Sequence, residues 1–266
     1  MKDVVFSFVI LSFNSEKYIQ KCLTSINDAM GQLKLNAEVF VVDNGSVDQS
    51  RTILNAFKFN QQVSLNQILF DTNTGTTFSR NAALKKSTGQ YVVILDSDAY
   101  VNTTVLVELK NYLETHESCG LVVPKLTYPD GRYQLSVDQF PTLVHKIKRY
   151  LFLKKLEAQK PDNMAGDVDY AISAFWMLPQ KILSEVGLLD EKIFYSPEDV
   201  DYCIRIWKAG YKITYLPEYS AIHDAQEISR PKGFKLLNLF SLSHIKGLAY
   251  LYRKHRFLFS GKKFIH

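Results

Sequence analysis

The chain has 266 residues, 46% of them hydrophobic, so it can bury a sizeable core and a globally disordered chain is excluded. Its three cysteines (Cys22, Cys119, Cys203) lie far apart without a CxxC pattern, which fits a reduced setting better than a disulfide framework. The net charge of +5 is uneven: residues 225–266 carry nine Lys/Arg against one acid, Glu227, a tail of +8 on a body of −3.

Met1-Lys2-Asp3-Val4 leads straight into a strand-like run with no signal-peptide architecture, and no apolar segment reaches the length of a membrane span. A cytoplasmic location is therefore expected. Residues 4–12 (VVFSFVILS) predict a buried strand. Asn14-Ser15-Glu16 opens an amphipathic helix with Tyr18, Ile19, Cys22, Leu23 and Ile26 at helical spacing. Residues 38–42 predict a second strand ending in Asp43-Asn44-Gly45-Ser46. There Asn-Gly signals a turn, and Ser46 is expected to cap a helix carrying Ile53, Leu54 and Phe57. Residues 63–70 read as a third strand, 71–75 as a polar loop and 77–86 as a helix. Tyr91-Val92-Val93-Ile94-Leu95 is the apolar run of a central strand, and Asp96-Ser97-Asp98 follows at once. A helix over 103–115 and a short strand over 120–124 complete a β-α alternation. That alternation predicts an α/β fold, a mostly parallel sheet with helices on both faces. Loops that follow parallel strands share one rim, so Asn14, Asp43, Asn44, Asp71, Asn73, Arg80, Asp96 and Asp98 are expected together.

Beyond Pro124 the pattern changes. Residues 127–137 suggest a hairpin around Pro129-Asp130-Gly131, 143–160 a basic helix, Pro161-Asp162-Asn163 a flexible stretch and 167–178 a strand. Pro179 is expected at the first position of a helix reaching 186. Phe194 to Asp201 leads into a helix ending near Gly210, 211–216 is a strand, and His223 sits just past it. Residues 232 to about 259 read as a basic, aromatic helix. The expected division is 1–224 as one globular unit, in two parts that meet at about 124, followed by a tail over 225–266.

Four groupings carry chemistry. Two aspartates at i, i+2 on a strand end, Asp96 and Asp98, can hold a hard divalent cation, or simply form a turn into the next helix with Asp98 or Asn102 as cap. Asp43, near Ser12 and Arg80, can read a base or ribose edge, or belong only to its turn. Ser196-Pro197-Glu198-Asp199-Val200-Asp201 sets three acids at a helix start. The helix dipole accounts for Asp201, whereas Glu198 and Asp199 follow Phe194-Tyr195 and suit a general base beside an apolar surface. His223 after a strand is a ligand or a hydrogen-bonded surface histidine.

The order of these pieces resembles the inverting, metal-dependent family 2 glycosyltransferases with the GT-A fold. The resemblance rests on Val9-Ile10-Leu11-Ser12-Phe13-Asn14, Val42-Asp43-Asn44-Gly45-Ser46-Val47-Asp48, Asn73-Thr74-Gly75 with Arg80-Asn81, Asp96-Ser97-Asp98, Glu198-Asp199 with Ala209-Gly210-Tyr211, and His223. It covers about residues 4–223, and Val186-Gly187-Leu188-Leu189-Asp190 fits the same approach to Glu198-Asp199. The resemblance implies that Ser12, Asn14, Asp43, Asn44, Arg80, Asp96, Ser97 and Asp98 line a nucleoside-diphosphate-sugar donor, with a UDP or dTDP base. Asp98 and His223 would hold Mg²⁺ or Mn²⁺. Asp199 would be the general base, Glu198 would line the acceptor side, and Trp176 would shape a pocket there or pack in the core. The family usually has a glycine where this chain has Ser173-Ala174-Phe175-Trp176, and a glycine-rich run where it has Thr74, Thr76 and Thr77.

The implied reaction is sugar transfer with inversion to a glycan or lipid-linked acceptor in cell-surface polysaccharide synthesis. The tail resembles that of bacterial members that add rhamnose or similar sugars. It is expected to lie on a membrane surface, on the inner face of the cell membrane, or to pack on the body or on a second subunit as a homodimer. Nucleic acid is not an expected partner. A sugar nucleotidyltransferase would want a glycine-rich first loop, yet residues 10–25 contain no glycine. A dehydrogenase would want GxGxxG there, and Gly261-Lys262-Lys263 lacks the context of a Walker A loop. A non-catalytic module binding a nucleotide sugar or a polyanion is the other alternative.

Overall fold

The computed structural model describes residues 3–141, 165–225 and 239–260. The expected helix over 143–160, the stretch 161–163 and residues 226–238 fall wholly or almost wholly outside them. The first half alternates as the sequence predicts: β1 (Phe6–Ser12), α1 (Ile19–Leu33), β2 (Ala37–Asn44), α2 (Ser50–Ala56), β3 (Val63–Phe70), α3 (Thr76–Leu84) and β4 (Tyr91–Asp96). These strands lie parallel in the order β3-β2-β1-β4. Alternate side chains of each strand face opposite layers. Phe6, Phe8 and Ile10 pack with Ile19, Leu23 and Met30 of α1, while Val9, Val92 and Ile94 pack with Ala83 and Leu84 of α3. Each such buried aliphatic side chain contributes about 1.5–3 kcal/mol. Together they make β1 and β4 a rigid floor for what their ends carry.

Two helix starts differ from expectation. Ser46 does not cap α2: its Oγ accepts from the Asn14 amide, and α2 begins at Ser50 after a turn in which Asp48 accepts from Ser50. The Asn14-Ser15-Glu16 turn precedes α1 by a few residues, with Ser15 carbonyl accepting from Tyr18 and Ile19.

The second half departs more. After β5 (Ala99–Tyr100), α4 (Thr103–Thr115, capped by Asn102) and β6 (Cys119–Thr127), a turn at 128–132 leads to β7 (Tyr133–Gln134), which returns on β6 as the hairpin signals predict. The strand expected over 167–178 is three short pieces: β9 (Gly166–Asp167), β10 (Tyr170–Ala171), which pairs with β8 (Val137–Asp138), and β11 (Phe175–Pro179). β11 inserts antiparallel between β4 and β6. Pro179 therefore closes a strand and caps α5 (Gln180–Glu185) instead of occupying its first turn. α6 (Glu198–Lys208) follows, and β12 (Lys212–His223) runs parallel to β6 and reaches His223 through a bulge between Leu216 and Ser220. α7 (Leu239–Lys254) and α8 (Phe257–Ser260) close the described chain. Among the described residues no helix is long and apolar enough to cross a membrane.

Candidate active site

β4 delivers the centre of the site. Its buried run ends at Asp96, and half-buried Ser97 and Asp98 turn the chain into β5. β12 pairs with β5 so that His223 stands opposite Ala99. His223 Nε2 then lies 3.3 Å from Asp98 Oδ1 and 3.8 Å from Asp96 Oδ2. One ligand atom from each of these three residues lies within 4.8 Å of the others. His223 Nδ1 meets Oε1 of buried Gln134 at 2.8 Å. A carbonyl oxygen only accepts, so Nδ1 carries a proton, and Nε2 is the atom turned toward the carboxylates, to which it donates when the ring is protonated. Burial alone would lower the imidazole pKa, but the Asp98 hydrogen bond and the charges of Asp98 and Asp96 outweigh it and hold it above its ordinary value. Two carboxylates and one imidazole nitrogen fit Mn²⁺ or Mg²⁺, which completes its shell with ligand oxygens and water.

Arg80 joins this centre to a second one. It projects from α3, is only 1% exposed, and its Nη2 reaches Asp96 Oδ1 at 2.5 Å. Its Nη1 reaches Ser173 Oγ at 2.7 Å and Glu198 Oε1 at 3.4 Å. Ser173 in turn donates to Glu198 Oε1 at 3.0 Å. The antiparallel course of β11 explains this placement, because pairing Phe175 with Leu95 brings Ser173-Ala174 up beside Asp96, whose amide donates to Ala174 carbonyl at 3.1 Å. Glu198 is buried, and burial together with the Asp199 charge pushes its carboxyl up to about 8, against Arg80. Asp199 beside it is half-buried, and its Oδ1 accepts the Val200 amide at 2.8 Å. Tyr195 completes the group; burial and the charges of Asp96, Glu198 and Asp199 push its phenol up.

The rim beyond β1 and β2 is built around Asp43, which is fully buried. Its Oδ1 accepts from Ser46 amide at 3.1 Å and Arg51 Nε at 2.7 Å, and Arg51 also donates to Phe70 carbonyl. Asp43 Oδ2 is a buried acceptor without a partner among the described residues. Other expected donor residues are engaged within the protein. Ser12 Oγ, fully buried, is hydrogen-bonded to Ser15 Oγ. Asn44 holds the next loop by bonding Asn73 Oδ1, Gly75 carbonyl and Thr74. Asn14, in the left-handed region at φ 51°, accepts from the Val47 amide. Gly75 needs its own freedom: φ is +87°, and a Cβ there would lie 2.4 Å from Phe194 carbonyl.

Of the two places expected for Trp176, the structure shows the core and not the pocket wall: it is fully buried on β11, stacks on Tyr202 at 5.8 Å, and donates its indole N–H to Ala171 carbonyl. His223 is the last residue of β12, not a residue beyond it. Sequence reading misses Gln134 and Arg51 and takes Tyr195 only as part of the apolar surface before Glu198. The hairpin that carries Gln134 is signalled, but its alignment with His223 and the i+8 pairing of Arg51 with Asp43 carry no local signal. Ser173 was visible only as a departure from the family's glycine.

Residues 7–187 match the family model "Glycosyl transferase family 2". The chain belongs to that family. It is 28% identical over 277 residues to the poly(ribitol-phosphate) beta-N-acetylglucosaminyltransferase TarS of Staphylococcus aureus, covering 87% of this chain and 46% of that protein. It is 33% identical over 268 residues to a poly(ribitol-phosphate) beta-glucosyltransferase of Bacillus spizizenii, covering 90% and 40%. The chain thus spans less than half the length of either curated relative. TarS 1–349 solved with UDP-GlcNAc superposes with a TM-score of 0.60 at 23% identity, covering 86% of this chain and 62% of that one. GalNAc-T7 solved with UDP, GalNAc and Mn²⁺ superposes at 0.67 and 16% identity, covering 94% and 48%. At these identities the solved structures speak for the GT-A fold alone.

Proposed function

We propose that this chain transfers a sugar, with inversion, from a nucleoside-diphosphate sugar to a hydroxyl of a glycan or lipid-linked acceptor in cell-surface polysaccharide synthesis. The observation that carries the reading is the pair of linked centres: Asp96, Asp98 and His223 converge on one point, and Arg80 ties them to Glu198, next to Asp199 in the same helix turn. The relatives' names favour a UDP-sugar donor and a poly(ribitol-phosphate)-like polymer as acceptor.

On this reading Asp43 Oδ2 accepts an N–H of the base or a ribose hydroxyl, and Asp96 faces the ribose. Asp98 and His223 hold Mg²⁺ or Mn²⁺, with Gln134 fixing the His223 tautomer. The bound ion supplies charge that stabilises the departing diphosphate. Glu198 is buried and keeps its proton near neutral pH, so it suits lining and hydrogen bonding better than proton abstraction. Asp199, half-open to solvent, takes the acceptor hydroxyl proton as attack proceeds. A single base on one face gives inversion, by the geometric logic of inverting glycosidases.

A cytoplasmic location belongs to the same reading, supported by three buried free thiols. The outward Ile245, Lys246, Arg253, Arg256 and Phe259 of α7 and α8 suit an anionic membrane surface carrying the acceptor. The test is a thermal-shift panel of nucleoside diphosphates with and without Mn²⁺, since a ligand of the folded state raises its stability with the logarithm of concentration over Kd. A metal-dependent shift with UDP or dTDP is expected, followed by metal-dependent hydrolysis of a matching donor. No shift with any nucleotide defeats the reading; binding without turnover on any donor would make the chain a binding module.

A further inference from the structure

Glu198 and Asp199 sit on a segment, residues 186–201, that is bound from two sides. On one side α3 holds it: Thr76 amide donates to Phe194 carbonyl at 2.6 Å, and Thr77 Oγ1 to Ile193 carbonyl at 2.7 Å. Asn81 both donates to and accepts from the Leu189 backbone. These contacts belong to the donor half. On the other side stands α7, which lies beyond the matched family region and contributes nothing to the Asp96/Asp98/His223 point.

The contacts of α7 fall on both ends of this segment. A Cβ on Gly247 would lie 2.1 Å from the Ser196 carbonyl oxygen, so only glycine lets the helix seat against the turn two residues before Glu198. Tyr250 Oη and Lys254 Nζ both donate to Asp190 Oδ2, at 2.9 and 2.6 Å. Lys254 Nζ also lies 2.7 Å from Asp201 Oδ1, and His255 Nε2 meets the same oxygen at 2.8 Å. Arg205 takes Asp201 Oδ2 at 3.0 Å. Asp201 has no exposed surface, a position a carboxylate holds only when paired and hydrogen-bonded. Leu251 and Leu258 are buried beneath, and Tyr252 Oη donates to Pro141 carbonyl at 2.5 Å. The first turn of α6 lacks a side-chain cap of its own, since Pro197 stands at the N-cap. Helix ends without caps fray.

We infer that α7 is a positioning strap for the base: through Gly247, Lys254 and His255 it fixes the first turn of α6 and so the place of Asp199 relative to the donor. The inference rests on the transferase reading, and on a geometric demand. A base must stand within hydrogen-bond reach of its proton, and misplacement by about 1 Å costs on the order of a hundredfold in rate. Glu198 is held from the donor side by Arg80 and Ser173, whereas the opposite face of the same turn is held by the strap through Asp201. The charge of Lys254 is shared between Asp190 and Asp201, eleven residues apart, so one side chain links the beginning and the end of the acid-bearing segment.

The experiment uses the full chain with Lys254→Met, Lys254→Arg and Gly247→Ala, read by hydrogen exchange, by UDP binding with Mn²⁺, and by turnover of a UDP-sugar donor. Lys254→Met and Gly247→Ala are expected to lose exchange protection in residues 193–201 while β1 and β4 keep theirs. Their UDP affinity should stay within about twofold of the parent and kcat should fall about ten- to a hundredfold. Lys254→Arg, which keeps the charge, should recover most of the turnover. Unchanged protection in 193–201, or a loss of UDP binding in step with turnover, overturns the strap. The exchange readout does not need turnover: a parent that binds UDP but transfers no sugar sinks the transferase reading, and protection in 193–201 still judges the strap.

Discussion

The two carboxylate centres of this molecule are held in different ways. Asp96 and Asp98 close a central strand whose neighbours on both sides are full hydrogen-bonded ladders, and their positions follow from sheet register. Glu198 and Asp199 stand at the start of α6 after a loop with no ladder, and their positions follow from contacts of α3, of Ser173 just before β11, and of α7. On the proposed reading, the centre that grips the diphosphate gains from a rigid sheet edge, and the centre that admits the acceptor sits on a segment whose hold is assembled from separate, individually replaceable contacts.

That contrast makes graded predictions. Asp98→Ala removes a carboxylate from the ladder-held centre. Metal-dependent turnover is expected to fall by about a thousandfold, with the UDP-induced thermal shift no longer responding to Mn²⁺; a retained Mn²⁺ response would break the assignment. Asp201→Asn attacks the side-chain-held centre through its anchor. It leaves Lys254, Arg205 and His255 without their buried counter-charge and should cost about 3 kcal/mol of stability in urea unfolding at pH 7. The salt bridges and hydrogen bonds hold Asp201 down at about 2 from an ordinary 3.8, so its contribution is full above 3.8 and is lost as pH falls toward 2. The variant should therefore differ most from the parent at neutral pH and converge with it in acid. Gln134→Ala frees the His223 tautomer, and Mn²⁺ affinity measured by calorimetry should weaken about ten- to a hundredfold with folding intact.

Glu198→Gln is expected to act in the opposite direction, raising stability at neutral and alkaline pH. With its folded pKa raised to about 8 from 4.5, Glu198 favours the folded state while protonated, and that contribution disappears as pH rises between those values. The amide variant should show a higher Tm than the parent above pH 8 and little difference below pH 5. An opposite trend would mean that Arg80 keeps Glu198 ionised.

The ladder-held centre was legible in the sequence, and the other only partly. Val92 to Leu95 announces a central strand, and a buried strand must release its aspartates at an end, so Asp96, Asp98 and Asp43 fall on one rim by topology alone. Arg80 is legible as a position on that rim, but its reach to Ser173 requires β11 to insert antiparallel beside β4. Nothing local in Phe175 to Pro179 specifies which strands it pairs with. Trp176 shows the same limit: an aromatic two residues from a rim reads equally as pocket wall or core until strand pairing turns it into the core. Gln134 becomes a partner of His223 only when the 128–132 turn folds β7 back on β6. The basic, aromatic composition of residues 225–266 leaves a membrane, a second subunit and the body itself open, and Lys254 and His255 turn inward to Asp201 on the body. Charge counting sees cations but not the buried acid, 54 residues before His255, that they answer to.

The division of labour between the two centres is tested most directly by Asp199→Asn, with UDP affinity in the presence of Mn²⁺ and donor turnover measured on the same preparation. If the sheet edge binds and the α6 turn reacts, UDP affinity stays within about twofold while kcat falls on the order of a thousandfold. Turnover close to that of the parent, or a loss of UDP binding as large as the loss of turnover, would contradict it.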